Sequence, residues 1–408
     1  MKILYLHQYF ATPDSNAGTR SFEVARRLVD SGHSVTFVTS SAFLSSKYDL
    51  KKGWNHIVIE GFDLHVLHLP YSNKDSYFKR IMTFIKFSYL STLKSLSLES
   101  DVVLATSTPL TIAIPALIYT KVKKKPMVFE VRDLWPELPI SAGVISNPLI
   151  IKAAEWLELY TYENSSRLIG LSPGMCDGIT RHGIDEKKVT LATNSCDTQL
   201  FDVDRDIGIN YKKEVLGFLG SRKLVVYTGT FGLINDVGYI VELASAMKSV
   251  DNSVCFIAIG DGMEKLDIID KAKSLGVLNN NLYILDPVAK NEIVKLLSAA
   301  DISLSLFGPI HEMWHNSANK LFDALASATP VAINYGGWQK EFIEEYCCGL
   351  VLDSVDYKKS AEDLSKFIND DDRFLSASKQ CKYLAYNKFS RDIMAARIEK
   401  TLLDAIND

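Results

Sequence analysis

From end to end the chain alternates between short apolar runs and amphipathic stretches of helical period, a pattern with few solutions other than parallel sheets built from strand-helix-strand units. In the first half the strands are predicted at residues 3–6, 35–38, 102–105, 128–131 and 168–171. Between the first two, Phe22, Ala25, Leu28 and Val29 fall on one helical face, and Gly32 follows where a helix should stop. A polar stretch at 202–208 interrupts the series and reads as a linker. A second series then begins, with strands predicted at 224–227, 254–259, 282–285, 302–306 and 331–334. The expected class is therefore α/β: two doubly wound parallel-sheet domains, residues 1–200 and 201–385, facing a cleft. Residues 386–408 have no strand after them and are expected to form a helix that crosses back to the first domain.

A chain of 408 residues with 47% hydrophobic and 23% charged residues can bury two sizeable cores. A net charge of -4 argues against general binding to the phosphate backbone of nucleic acids. The six cysteines form no CxxC pair and stand near no histidine cluster, so they read as reduced and mostly buried, not as a metal set. The start, Lys2-Ile3-Leu4-Tyr5-Leu6, shows neither a basic leader nor a cleavage site, and no apolar run reaches the ~20 residues that span a bilayer. A cytoplasmic protein, peripheral to a membrane at most, is expected.

In open parallel sheets, ligands collect at the carboxyl ends of the strands, where loops lead into helix N-termini. Two loops of the second half, Gly229-Thr230-Phe231-Gly232 and Gly260-Asp261-Gly262, carry glycines that let backbone approach a phosphate. Neither half has the full G-x-G-x-x-G of a dinucleotide fold, which disfavours a nicotinamide or flavin enzyme. Further on, Ser317 or Asn319 is placed to cap a helix on which Lys320 and Asp323 share a face. There a lysine would add its charge to the helix dipole, as suits a departing diphosphate. Read in isolation, the pair is an exposed surface ion pair.

Taken together, these stretches resemble the family-4 retaining glycosyltransferases, particularly bacterial ones that build O-antigen, capsule or exopolysaccharide. The resemblance rests on Gly18-Thr19-Arg20, on Arg132-Asp133-Leu134-Trp135-Pro136-Glu137, on Thr193-Asn194-Ser195-Cys196-Asp197, on the two glycine loops and on Asn319-Lys320-Leu321-Phe322-Asp323. It implies a GT-B fold and a metal-independent, cofactor-free enzyme. Such an enzyme moves a hexose from a nucleotide-diphosphate sugar, a UDP-sugar in the first instance, to a glycan or a polyprenyl-diphosphate-linked sugar. By resemblance Lys320 binds the donor diphosphate and Asp323 takes the second acidic position of the Glu-x7-Glu element, on the ribose hydroxyls. Gly229, Thr230, Gly232, Gly260, Asp261, Gly262 and Asn319 complete the donor site. Asp133 faces the acceptor hydroxyl or the transferring sugar, with Gly18, Thr19, Arg20 and Arg132 on the acceptor side.

Each of these first-half assignments has a plainer alternative, an Arg132-Asp133 ion pair ordering a loop or simple helix capping at residues 18–20. The first acidic position holds His315, with Glu312 three residues earlier, and the sugar contact is open between them. After Gly232, where the family often has a basic residue, the chain has Leu233. These departures keep a nucleotide-sugar 2-epimerase and a non-catalytic GT-B subunit in view. Trp135, Trp338 and His7 read equally as core residues. Residues 77–90 and the lysines of 121–125 mix basic and aromatic side chains, as does a helix lying on an anionic membrane or a core helix with solvated lysines.

Overall fold

The structure is a computed structural model that describes residues 1–15, 17–44, 48–70, 77–141 and 143–408, with the backbone alone for Tyr77 and Phe78. The chain divides into two compact units, residues 1–193 with 391–408, and residues 194–390.

The first unit holds β1 (Lys2–Leu6), β2 (Ser34–Ser40), β3 (Trp54–Ile59), β4 (Phe62–Leu67), β5 (Val102–Thr106), β6 (Met127–Val131), β7 (Arg167–Gly170) and β8 (Val189–Leu191). They form one sheet in the order β3-β4-β2-β1-β5-β6-β7-β8, parallel except for the β3 edge. The five predicted strands are all present. The β3-β4 hairpin was not anticipated: Glu60 and Gly61, both at positive φ, make its two-residue turn without the usual Asn-Gly or Asp-Gly signal. Leu104, Phe129 and Leu168 are fully buried, as a parallel sheet covered on both faces requires.

The second unit holds β9 (Lys223–Thr228), β10 (Val254–Ile259), β11 (Leu282–Leu285), β12 (Ile302–Ser305), β13 (Val331–Ile333) and β14 (Gly349–Val351). This sheet is wholly parallel, in the order β11-β10-β9-β12-β13-β14. The polar stretch 202–208 is not a linker. Asp204 accepts a hydrogen bond from the Asp206 amide at 2.9 Å and starts the helix Arg205–Glu214 inside the second unit, so the polar residues are the solvent face and cap of a helix.

The last helix, Arg391–Asn407, crosses back onto the first unit. Asp392 pairs with Arg27 at 2.6 Å, Glu399 with His33 at 2.7 Å and Asp408 with Arg167 at 2.7 Å, while the Thr401 hydroxyl donates to Thr190.

A buried ion pair anchors the middle of the first sheet. Glu130 on β6 is fully buried, and its Oε1 accepts from Arg20 Nε at 3.0 Å and Nη2 at 2.9 Å, while Oε2 accepts from the Thr106 hydroxyl at 2.5 Å. Arg20 also donates from Nη2 to the Ala192 carbonyl at 2.7 Å and from Nη1 to the Thr193 carbonyl. Burial pushes the Glu130 carboxyl up, but Arg20, Arg132 and Thr106 outweigh it and hold the group below its ordinary value. Its stabilisation is therefore present at neutral pH and is lost on acidification below its ordinary value of 4.5. Removing one partner strands the other charge in the core, so Arg20→Ala should lose about 3–5 kcal/mol in denaturant unfolding. A variant with unchanged unfolding and only weakened activity would return Arg20 to the acceptor side.

Candidate active site

In the second sheet β9 lies between β10 and β12, so the crossovers leaving it diverge and open a crevice at its carboxyl end. The two glycine loops meet there and form one structure. Phe231 N-H donates to the Asp261 carbonyl at 2.9 Å, and Glu264 N-H donates to the Phe231 carbonyl at 3.1 Å. A Cβ on Gly260 would lie 1.8 Å from the Gly229 oxygen, and one on Gly262 would lie 2.1 Å from the Phe231 oxygen, so both positions exclude every side chain. The Tyr227 hydroxyl donates to the Thr230 carbonyl at 2.9 Å and fixes the first loop from below. Thr230 and Asp261 are exposed at its rim, and Gly232 is half-buried.

Lys320 completes this crevice. It is half-buried in the first turn of the helix Asn319–Ala326, with its Nζ 5.2 Å from the centroid of the Tyr227 ring. A Cβ on Gly229, whose φ is +148°, would come within 2.7 Å of Lys320 Cε, so the glycine makes room for the lysine. Burial pulls the ammonium down to about 8, with Asp323 one turn later acting against it. Neither Lys320 nor Asp323 is exposed, so the two are not the surface pair that the stretch suggests when read alone. Neither expected cap forms: Ser317 Oγ accepts from the Asn194 amide at 3.0 Å, Asn319 is the first helical residue, and no side chain among the described residues caps this helix.

Glu312 and His315 both lie on the 3₁₀ turn His311–His315. At three residues per turn their side chains eclipse, so both project from one side of the turn without any shift of the loop.

In the first sheet β1 lies between β2 and β5, another point of diverging crossovers. Gly18 is exposed and Thr19 half-buried just before the helix Arg20–Asp30, and Thr19 makes no side-chain cap. The expected Arg132-Asp133 ion pair is not formed. Instead, Asp133 Oδ2 accepts from the Thr108 hydroxyl at 2.8 Å, Arg132 Nη1 lies 3.3 Å from His7 Nε2, and the Arg132 amide donates to Ser107 Oγ at 2.9 Å. Burial raises the Asp133 carboxyl, with Thr108 and Arg132 opposing, and burial beside Arg132 holds His7 neutral. His7 Nδ1 and both polar side-chain atoms of Gln8 are buried without a partner, which marks a place for water or a polar ligand. Sequence reasoning missed Gln8, Ser107, Thr108 and Glu130; the available signal was polar residues directly after an apolar strand.

Among the described residues no group of three or more His, Cys, Asp or Glu is arranged to hold a metal ion, and no helix is long and apolar enough to cross a membrane.

Comparison with known proteins agrees with this geometry. Residues 17–195 match the family described as glycosyl transferase 4-like domain, and residues 209–389 match glycosyl transferases group 1. The D-inositol 3-phosphate glycosyltransferase of Corynebacterium urealyticum is 25% identical over 203 residues, a match that covers 48% of this chain and only 44% of that protein. Among solved structures, Anabaena Alr3699/HepE in complex with UDP and glucose has a TM-score of 0.72 at 16% identity, covering 99% of both chains. WaaG, a glycosyltransferase involved in lipopolysaccharide biosynthesis, has a TM-score of 0.67 at 12% identity, covering 98% of both chains. With a family match on each of its units and this fold throughout, the chain belongs to the group 1 glycosyltransferases of GT-B architecture.

Proposed function

We propose that this glycosyltransferase takes its sugar from a nucleotide-diphosphate sugar, a UDP-sugar, and delivers it with retention to a glycan or lipid-linked sugar during bacterial surface-polysaccharide synthesis. The observation that carries the reading is Lys320, a half-buried cation set among two interlocked glycine loops. Backbone amides of the Gly229–Gly232 and Gly260–Gly262 loops and the Lys320 ammonium receive the diphosphate, and Asp323 the ribose. Glu312 and His315 face the donor sugar. Lys320 supplies the charge that a metal would otherwise bring, so chelators should leave the reaction unchanged. Asp133, Arg132 and the buried polar groups beside them hold the acceptor. The UDP complexes of HepE support the choice of base, and the role of WaaG in lipopolysaccharide supports the class of product.

The membrane part of the reading rests on an exposed apolar stripe along one helix. In Tyr77–Leu96 the small polar residues Ser88, Ser91 and Ser95 face the core, while Met82, Ile85, Tyr89 and Leu93 form an exposed stripe, with Tyr89 65% exposed. Ile118 and Val122 of the neighbouring helix Ala113–Lys123 are exposed as well, beside Lys86, Lys121 and Lys124. Apolar residues bordered by lysines fit the interface of an anionic bilayer.

Two experiments test these readings. Thermal melts with UDP-, GDP-, ADP- and CMP-sugars should show a shift with UDP-sugars alone, weakened at least ~10-fold in apparent affinity by Lys320→Ala. Because Lys320 loses its proton near 8, that shift should shrink as pH rises past 8, whereas Lys320→Arg should hold it. No shift with any nucleotide would sink the donor site and favour the non-catalytic subunit. In sedimentation, phosphatidylglycerol vesicles should carry down the wild type but neither neutral vesicles the wild type nor phosphatidylglycerol the Ile85→Asp/Tyr89→Asp variant; equal behaviour of wild type and variant would refute the membrane face.

A further inference from the structure

We infer that the first unit carries a second carbohydrate-binding subsite, a cavity of about 380 Å³ floored by Glu158 and His182 and walled by Trp156. Its volume lies within the range of small-molecule sites. Glu158 is buried, and its Oε1 accepts from the Tyr162 hydroxyl at 2.8 Å. Its other oxygen stands 3.7 Å from His182 Nε2, too far for a hydrogen bond, and that ring nitrogen is itself buried without a partner. His182 Nε2 is thus held beside the Glu158 carboxylate with its hydrogen-bonding capacity unspent, a costly arrangement unless something polar enters. Above them Trp156, 63% exposed, is held by stacking on Tyr160 at 5.3 Å.

The charge balance selects the class of ligand. Glu137 is paired with Arg181, and Lys152 and Glu155 at the rim offset each other. Burial, with Glu137 and Glu155 nearby, pushes the Glu158 carboxyl up to about 7, and burial holds His182 largely neutral. With the other charges balanced and Glu158 only partly ionised at neutral pH, the floor does not draw a phosphate. An aromatic face over hydrogen-bonding side chains suits the C-H face and hydroxyls of a sugar ring. The occupant is a residue of a neutral glycan, and its use as an anchor for the acceptor chain rests on the glycosyltransferase reading.

Fluorine NMR of the full chain containing 5-fluorotryptophan reads this site directly, with Trp156→Phe assigning its resonance among the five indoles. Millimolar glucose, galactose, N-acetylglucosamine and their tetrasaccharides are the probes. The Trp156 resonance should move saturably with at least one of them, and His182→Ala and Glu158→Gln should each weaken that binding ~10-fold with melting retained. A resonance that no saccharide moves, or that moves equally in both variants, overturns the subsite. The nucleotide melts report separately: a UDP shift without sugar binding removes this subsite alone, and sugar binding without a UDP shift removes the donor reading alone.

Discussion

A parallel strand can be followed by another only after the chain has crossed back over the sheet, so every loop able to meet a ligand gathers at the strands' carboxyl ends. Both sheets obey this constraint around a first strand that ends up interior: β1 between β2 and β5, and β9 between β10 and β12. At those points the crossovers leave in opposite directions and the backbone cannot fill the space between them. The second unit lines its space with glycines and a lysine. The first lines its own with His7, Gln8, Arg132, Asp133 and Thr108, two of them, His7 and Gln8, left with buried polar atoms to satisfy.

Lys320 shows what it takes to hold a cation in such a space. Taking an ammonium out of water is unfavourable, and here the Tyr227 ring, contributing ~0.5–2 kcal/mol, and the Asp323 charge offset only part of that cost. The remainder appears as an ammonium pulled down to about 8. An anionic ligand would restore what burial removed, and the protein has already met the cost of ordering the side chain by stacking it over a ring and clearing Gly229 beneath it. Leu233, which follows the first glycine loop, is exposed and adds no charge there, so Lys320 is the cation set against these loops.

Legibility in the sequence followed range. Mostly apolar runs stood out, whereas Trp54–Ile59 and Phe62–Leu67 were obscured by the polar residues within them, and Val189–Leu191 and Gly349–Val351 are too short to stand out. The stretch 202–208 misled because a helix cap and a linker share the same polar residues, and only the Asp204 hydrogen bond tells them apart. Arg20 was read as a ligand contact because its partners, Glu130, Ala192 and Thr193, lie far away in sequence. The motif around Lys320 was legible by resemblance. The ring beneath it and the glycine that admits it were not, since both come from another strand.

The departure at the first acidic position has a geometric answer. Trp314 wedges the 3₁₀ turn His311–His315 against Gly336 and Gly337, where a Cβ would come within 2.8 Å and 2.7 Å of it. The Asn316 carbonyl that ends the turn accepts from both Trp338 Nε1 at 2.9 Å and Gln339 Nε2 at 2.8 Å. A turn held at both its middle and its end does not rewind easily into the α-helical continuation that an i, i+8 spacing presumes. Within this tighter helix, residues three apart eclipse, so Glu312 occupies the side of the turn that His315 occupies, one turn further back. A carboxylate thus stays on the same side of the turn, one turn before the histidine. If this turn meets the donor sugar as proposed, such an exchange would alter selectivity among sugars and leave Lys320 untouched.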